Sequence, residues 1–263
     1  MSIPKIIHYC WFGGGELPER DKKCIESWRK FCPDYEIIEW NENNYDVTQI
    51  PYIKEAYAAR RWAFVTDFVR IDVVFQYGGI YMDTDVELIR SLDSLLEHEG
   101  YIGLEANSEY LGLGAGFGAE KGNQILRDIC NYYKTLHFID GNGTLNMTPN
   151  PILVTEFLKK QGYQIIPGKI SKLGGFTVFP DDYFSPQAFD FGKFQITDNT
   201  YSIHHYHASW QTDDEKKELQ RYHFYTKMFG MKLGELFYQT NKVLRKEGFA
   251  ATVKKIIGHL KKR

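Results

Sequence analysis

The stretch from about Ala56 to Tyr77 constrains this chain more than any other part of it. Trp62, Val65, Val69 and Val73 recur at helical spacing on one side, and Phe64, Phe68, Ile71 and Phe75 recur on roughly the opposite side. A helix that is apolar on two sides is buried between other elements rather than lying on a surface. Yet the same stretch carries Asp67, Arg70 and Asp72. An isolated buried charge is too costly to keep, so these groups must be paired internally or must face a polar cleft. The chain therefore has to pack apolar material on both sides of this helix and bring polar chemistry to one part of it.

The elements around it supply a layered α/β framework. Lys5 to Trp11 is a short, mostly apolar run that ends at Gly13-Gly14-Gly15, as a buried strand followed by a turn does. Pro18 opens a helix to about Phe31, where proline is tolerated in a first turn, and Tyr35 to Trp40 follows as a second strand. Strand, helix, strand in succession points to a βαβ unit and a parallel sheet. Gly78-Gly79 ends the buried helix, and Ile80 to Met82 forms a strand that delivers Asp83-Thr84-Asp85. Val86 to Ile89 continues extended, and Leu92 to Leu96 is a short helix. Further strands are expected at Tyr101–Ala106, Gly116–Ala119 and Tyr201–His205, and helices at Asn123–Leu136, Pro151–Gln161 and from Asp214 onward. The region between about 162 and 200 reads as irregular and aromatic-rich. At 263 residues this fits one α/β domain, residues 1–212, followed by a helical segment, residues 213–263.

Composition narrows the function classes. A net charge near −2 gives no reason to expect a nucleic-acid partner. Aromatic residues reach 16%, which serves either a large core or a cleft whose rings hold a sugar or a base. Cys10, Cys24, Cys32 and Cys130 form no CxxC pair and no zinc-like spacing, so they read as reduced structural thiols. The first residues lack a basic region followed by an apolar stretch, and no apolar run is long enough to span a bilayer. Cytoplasmic residence is the expectation. The glycine-dense loop with Gly112, Gly114, Gly116 and Gly118 lacks the phosphate-loop pattern, so its glycines are expected to allow a tight turn or a close approach of backbone to ligand.

The Asp83-Thr84-Asp85 triplet is the main chemical feature. Residues i and i+2 of a strand point to one side, so Asp83 and Asp85 can converge on a single cation. Oxygen ligands of this kind suit Mg²⁺ or Mn²⁺, whose coordination is commonly completed by water and phosphate oxygens. Metal-dependent phosphatases also place Asp-x-Asp at the end of an apolar strand. Here Glu87 stands where they carry Thr or Val, and the pair comes late in the α/β chain, which weakens that reading.

The run from Trp62 to Glu87, WAFVTDFVRIDVVFQYGGIYMDTDVE, resembles the signature of the glycosyltransferases with a DXD sugar-binding region. That family includes fungal Golgi mannosyltransferases, bacterial capsular polysaccharide transferases and the glucosylating toxins. The opening IPKIIHYCWFGG and the late SIHHYHASW, Ser202 to Trp210, resemble the family's first strand and its closing His-rich strand. The resemblance implies a GT-A-type, Rossmann-like mixed sheet flanked by helices, and retaining transfer of a hexose from a nucleoside diphosphate sugar. A UDP-sugar is favoured over GDP-mannose, with a polysaccharide or lipid-linked glycan as acceptor. It further implies that Asp67 and Arg70 contact the donor sugar and diphosphate, that Asp83 approaches the ribose or sugar, and that Asp85 ligates Mn²⁺ or Mg²⁺. Trp11 would stack near the base, and Ser209 with Trp210 would contact the diphosphate. A late histidine could complete the metal shell, with His207 preferred and His205 second; alternation sets His204 on the other face. Asp72 has no counterpart in the pattern and is expected to be structural. Glu105, Asp181 and Asp182 are candidate acceptor-side groups. A non-catalytic carbohydrate-binding protein on the same fold is the alternative, although such a protein has no need of a leaving-group metal.

From Asn241 to Arg263 there are eight Lys or Arg residues and one acid, Glu247. Phe249, Val253, Ile256, Ile257 and Leu260 fall at helical spacing opposite the lysines. This segment is expected either to pack on the domain or to lie as a basic amphipathic helix on an anionic membrane face.

Overall fold

The computed structural model describes residues 2–186, 195–206 and 213–247. The chain divides into two compact units, Met1–His207 and Ala208–Arg263. The first is an α/β unit built on a mixed sheet of seven strands, in the spatial order β2-β1-β3-β6-β5-β8-β7. The strands are β1 (Ile6–Cys10), β2 (Glu36–Trp40), β3 (Gly79–Tyr81), β5 (Gly100–Gly103), β6 (Phe117–Ala119), β7 (Ser171–Leu173) and β8 (Phe176–Phe179). β4 (Val86–Leu88) and β9 (Ser202–His204) form a separate antiparallel pair. The helices are α1 (Glu19–Phe31), α2 (Pro51–Ala58), α3 (Trp62–Tyr77), α4 (Gln124–Tyr133) and α5 (Asn150–Lys160).

The expected βαβ unit is present, since β1 pairs in parallel with both β2 and β3. The sheet is mixed because β6 runs antiparallel to both β3 and β5. Alternate strand residues face two separate cores. Tyr81 and Ile102 join the cluster under α2, α3, α4 and α5, whereas Ile80, Met82 and Tyr101 join the cluster that contains Ile25 and Trp28 of α1. Helices thus cover both faces, and α3 is buried along most of its length, from Phe64 to Val74. The four cysteines are buried and unbridged.

Three local expectations change. The buried helix does not start near Ala56: Arg60, with φ of 54°, breaks it, so that α2 ends at Ala58 and α3 starts at Trp62. β7 and β8 occupy part of the stretch read as irregular, joined through Gly174-Gly175. They are too short for a period-2 pattern to show. The third change concerns Asp83-Thr84-Asp85, which lies beyond the end of β3 in a turn closed by Val86 N donating to Asp83 O at 3.0 Å.

In the second unit, α6 (Asp213–Glu247) is broken at Gly230, where φ is 74°. Arg245 donates to both oxygens of Glu218, at 2.6 and 3.0 Å. In one straight helix these residues would stand about 40 Å apart, so the break folds α6 back on itself. Tyr238, packed edge-on against Tyr222, also faces Glu218. No helix among the described residues is long and apolar enough to cross a membrane. The basic stretch beyond residue 247 lies outside the described residues.

Candidate functional site

Strand directions bring the chemistry-bearing segments to one edge of the sheet. β1 and β3 are parallel, so the loop after Cys10 and the turn after Tyr81 leave the same edge. β6, antiparallel to β3, starts there, and β5, antiparallel to β6, ends there. Trp11, Asp83, the glycine loop and Glu105 therefore converge where open α/β sheets commonly bind ligands, beyond the carboxyl ends of parallel strands.

The turn is held from three sides. On the α1 side, Thr84 is buried and its hydroxyl donates to Asp21 at 3.3 Å. Trp28 Nε1 donates to Val86 O at 2.7 Å, and Leu88 N donates to Ser27 Oγ at 2.9 Å. On the glycine-loop side, Asp83 N donates to Gly114 O at 2.9 Å. A Cβ at Gly114 would stand 2.2 Å from Asp83 Oδ2, so only glycine admits this approach without moving the carboxylate. On the α3 side, Arg70 Nη1 reaches Asp83 Oδ2 at 3.2 Å, while Tyr81 donates its hydroxyl to Asp83 Oδ1 at 2.8 Å.

Arg70 is itself fixed. Its Nε donates to Thr66 O at 3.1 Å, its Nη2 to Thr66 Oγ1 at 3.1 Å, and Nη2 pairs with Asp67 Oδ1 at 3.3 Å. The guanidinium also lies over the Tyr81 ring, 5.0 Å from its centroid, within cation–π range. Burial works against its charge, but Asp83, Tyr81 and Asp67 more than offset this and hold it protonated. Burial pushes the Asp67 carboxyl up to about 7, against the pull of Arg70 and with the help of Asp83. Asp67 and Arg70 of α3 are thus paired and turned toward the site.

Asp83, Asp85 and His204 each offer one ligand atom, and these atoms lie within 4.8 Å of one another. His204 Nε2 stands 3.2 Å from Asp85 Oδ1. Burial disfavours the imidazolium, but Asp85 first, then Glu105 and Asp83, raise His204 to about 9. Two carboxylate oxygens and one imidazole nitrogen on a pinned turn and a paired strand form a donor set that fits Mn²⁺ or Mg²⁺, with positions left for phosphate oxygens. The two aspartates converge through a turn, not through strand alternation.

The other expected residues distribute as follows. His205 lies away from the pair, its Nε2 2.9 Å from Glu87 Oε2, and the structure sets His204 at the pair in its place. Cross-strand register does not produce this: Val86 pairs with His204 and Glu87 with Ile203, which sets His205 on the Glu87 side, whereas Asp85 lies in the turn before β4 and reaches His204 from outside the ladder. Alternation puts His204 opposite His205 but does not say which of them meets the carboxylates. His207, Ser209 and Trp210 lie outside the described residues. Trp11 is half-buried in the loop after β1, with Nε1 donating to Gly15 O at 2.6 Å. That loop is anchored by Gly13 N donating to Glu42 Oε1 at 2.7 Å. Asp72 is structural, accepting from Tyr45 at 2.7 Å and from Gln76 at 2.5 Å. Asp181 accepts from Asn107 N at 2.8 Å, and Asp182 accepts from Thr197 and Asn199. Glu105 accepts the Tyr206 hydroxyl at 2.6 Å, and burial raises its carboxyl. Tyr81, which fixes Asp83, had no role assigned from the sequence; its signal was its place two residues before Asp83.

Residues 18–102 match the family described as the glycosyltransferase sugar-binding region containing a DXD motif. Inositol phosphoceramide mannosyltransferase 3 of Schizosaccharomyces pombe is 31% identical over 149 residues, which are 52% of this chain and 40% of that protein. Mannosyl phosphorylinositol ceramide synthase SUR1 of Saccharomyces cerevisiae is 31% identical over 111 residues, which are 38% of this chain and 27% of that protein. The chain thus spans less than half the length of these relatives. Among solved structures, PaToxG glycosyltransferase aligns over 61% of this chain and 69% of its own, with 19% identity and a TM-score of 0.45. A glycosyltransferase involved in glycosylating the major capsid of PBCV-1 aligns over 82% of this chain and 99% of its own, with 13% identity and the same TM-score of 0.45. α3, Gly78-Gly79 and the two aspartates all lie within the stretch that matches this family, and the sequence relatives named above are yeast mannosyltransferases.

Proposed function

We propose that this chain is a divalent-metal-dependent hexosyltransferase of GT-A type, transferring a sugar with retention from a nucleoside diphosphate donor to a glycan or glycolipid. The observation that carries the proposal is the Asp83–Asp85–His204 group beside the fixed Arg70, with Arg70 and both aspartates inside the matched residues 18–102. Asp83, Asp85 and His204 would hold Mn²⁺ or Mg²⁺, which when bound offsets the charge gathering on a departing diphosphate. Arg70 would add a second, preoriented positive charge, so that little reorganisation accompanies bond breaking. Asp67, paired to Arg70, would meet the donor sugar, Trp11 would present its ring to the base, and Ser209 with Trp210 would contact the diphosphate. Asp83 has both oxygens engaged by Tyr81 and Arg70, so it is not poised as a nucleophile. Departure and attack on one face of an ion pair suit this arrangement better than a covalent intermediate.

The names of the yeast relatives favour mannose as the sugar, which sets GDP-mannose beside the UDP-sugars as donor, and favour a lipid-linked acceptor. Residues 1–212 would be the catalytic part, and the basic stretch of residues 213–263 would rest on an anionic membrane face. The deciding experiment measures release of UDP or GDP from a panel of nucleotide-sugars, with Mn²⁺ and with chelator, for the wild type and Asp85→Asn. Release is expected only with metal and is expected to fall at least about 100-fold in the variant, in line with loss of a charge-stabilising group. Release that persists in chelator, or that ignores Asp85→Asn, rejects the mechanism.

A further inference from the structure

A histidine that ligates a metal through one ring nitrogen is ordinarily aimed by a hydrogen bond at the other, and that partner tunes affinity about 10–100-fold. His204 lacks this device: its Nδ1 is buried and has no hydrogen-bond partner among the described residues. A ring left to its own torsion would not keep Nε2 on Asp85. Something else must define its plane.

Tyr206 is placed to do so. Its ring lies against the His204 imidazole with centroids 4.0 Å apart and planes 26° apart, a stacked pair. Its hydroxyl donates to Glu105 Oε2 at 2.6 Å. Glu105 sits in the loop after β5, so the tyrosine is anchored at both ends, on β9 through its backbone and on the β5 side through its hydroxyl. The backbone at Tyr206 has φ of 49°, the left-handed region that bulky residues rarely adopt. In an extended strand, residues 204 and 206 share a face but their rings stand side by side along the strand. The left-handed turn at Tyr206 instead brings its ring face-on to His204. Strain of this kind persists where the surroundings over-determine it, and here a stack and a hydrogen bond both do.

We infer that Tyr206 is a positioning residue for the metal site: its ring, anchored by Glu105, sets the plane of the His204 imidazole in place of a hydrogen bond on Nδ1. This rests on the metal reading of Asp83, Asp85 and His204 given above. It separates the two features of Tyr206. The ring orients His204 directly, whereas the hydroxyl only limits how far the ring can drift. Removing the ring therefore costs more than removing the hydroxyl.

The test is a titration of the full chain with Mn²⁺ alone, followed by electron paramagnetic resonance of the free ion, for the wild type, His204→Ala, Tyr206→Phe and Tyr206→Leu. Thermal unfolding in chelator reports whether each variant is folded. Tyr206→Leu is expected to weaken Mn²⁺ binding about 10–100-fold, the range seen when an orienting partner is lost, and Tyr206→Phe about 3-fold or less. Rescue by phenylalanine distinguishes orientation by the ring from a general loss of structure, which would lower both melting temperature and affinity in both variants. Should Tyr206→Leu bind Mn²⁺ as the wild type does while His204→Ala does not, the positioning role is overturned and the metal site stands. Should Tyr206→Phe lose as much affinity as Tyr206→Leu, the hydroxyl and not the ring is the orienting group, and the inference is likewise overturned. Wild-type protein that binds no Mn²⁺, or His204→Ala that binds it normally, removes the metal reading and this inference with it.

Discussion

Gly114→Ala should damage the proposed metal site out of proportion to the one methyl group it adds. A Cβ at this position would lie 2.2 Å from Asp83 Oδ2 and 3.2 Å from Arg70 Nη1, whereas ordinary van der Waals contact begins at 3.4 Å. The overlap with the carboxylate is therefore about 1.2 Å, far beyond what small relaxations absorb. Asp83 N donates to Gly114 O, which ties the two backbones together, so the side chain has to yield first. Rotating it away breaks the contacts from Arg70 at 3.2 Å and Tyr81 at 2.8 Å. Hydrogen bonds to charged groups contribute about 1.5–3 kcal/mol each. With about half of that recovered in a new rotamer, the loss is roughly 1.5–3 kcal/mol. Against it stands a gain of about 0.4–1 kcal/mol from reduced freedom of the unfolded chain, since the φ of Gly114 is not in the left-handed region. The net cost is about 0.5–2.5 kcal/mol without metal. Binding of Mn²⁺ should drop about 100-fold, equivalent to about 2.7 kcal/mol, because Asp83 no longer faces Asp85. Urea unfolding in chelator and a Mn²⁺ titration measure the two quantities separately. Gly116→Ala is the control: its φ of 126° strains any side chain, but its Cβ would meet only Met82 and Phe184 at 3.7 Å. It should lose stability and keep its metal affinity. Equal Mn²⁺ affinity in Gly114→Ala and Gly116→Ala would refute the reasoning.

Two further outcomes follow from the fold and the sequence. His8 is fully buried, with Trp40 Nε1 donating to its Nδ1 at 3.1 Å and its own Nε2–H donating to Gly78 O at 2.8 Å. Burial lowers its pKa, partly opposed by the Gly78 carbonyl. Because the folded value lies below the unfolded value of about 6.5, this contribution to stability is complete above that pH and is lost as pH falls through the folded value. Unfolding free energy should decline as pH falls below about 6.5, and Trp40→Phe, which removes the donor facing Nδ1, should flatten the decline; a wild-type protein whose stability does not change there contradicts the assignment. Deleting the residues after Thr240 should abolish sedimentation with phosphatidylserine vesicles at low salt, and unchanged sedimentation removes the membrane proposal.

The framework was legible because α3 and β1 carry strong local patterns. Two-sided apolar spacing from Trp62 to Phe75 could satisfy only a buried helix, and Lys5–Trp11 followed by glycines could hardly be other than a strand and turn. The break at Arg60 was not legible, since nothing in arginine itself favours φ of 54°. Nor were β7 and β8, which depend on pairing, β8 with β5 and β7 with β8, rather than on their own sequence. At the site, the residues of the Trp62–Glu87 run were legible as a set, but the way they meet was not. Asp83 and Asp85 were expected to converge by strand alternation and instead converge through a turn that α1 and the glycine loop pin in place. His204 was not legible because Asp85 reaches it from the turn outside the β4–β9 ladder, where strand alternation gives no guide.

That geometry makes the two aspartates unequal. Asp83 joins three elements at once: Arg70 from α3, Tyr81 at the end of β3, and the backbone of Gly114 before β6. Asp85 reaches the other way, its side chain to His204 and its carbonyl accepting from His205 N at 3.0 Å. Thr84 between them is buried against α1, which prevents the turn from unwinding and lets the two carboxylates face one point from opposite walls. Neighbouring carboxylates repel, and in this chain Arg70 balances one wall and His204 the other. On the proposed metal reading, a cation entering between them would meet carboxylates already held apart and oriented, and would displace the proton from His204. The cost of assembling like charges is met by the fold, before any ligand arrives, and this is why charges appear on a helix that is otherwise built for the core.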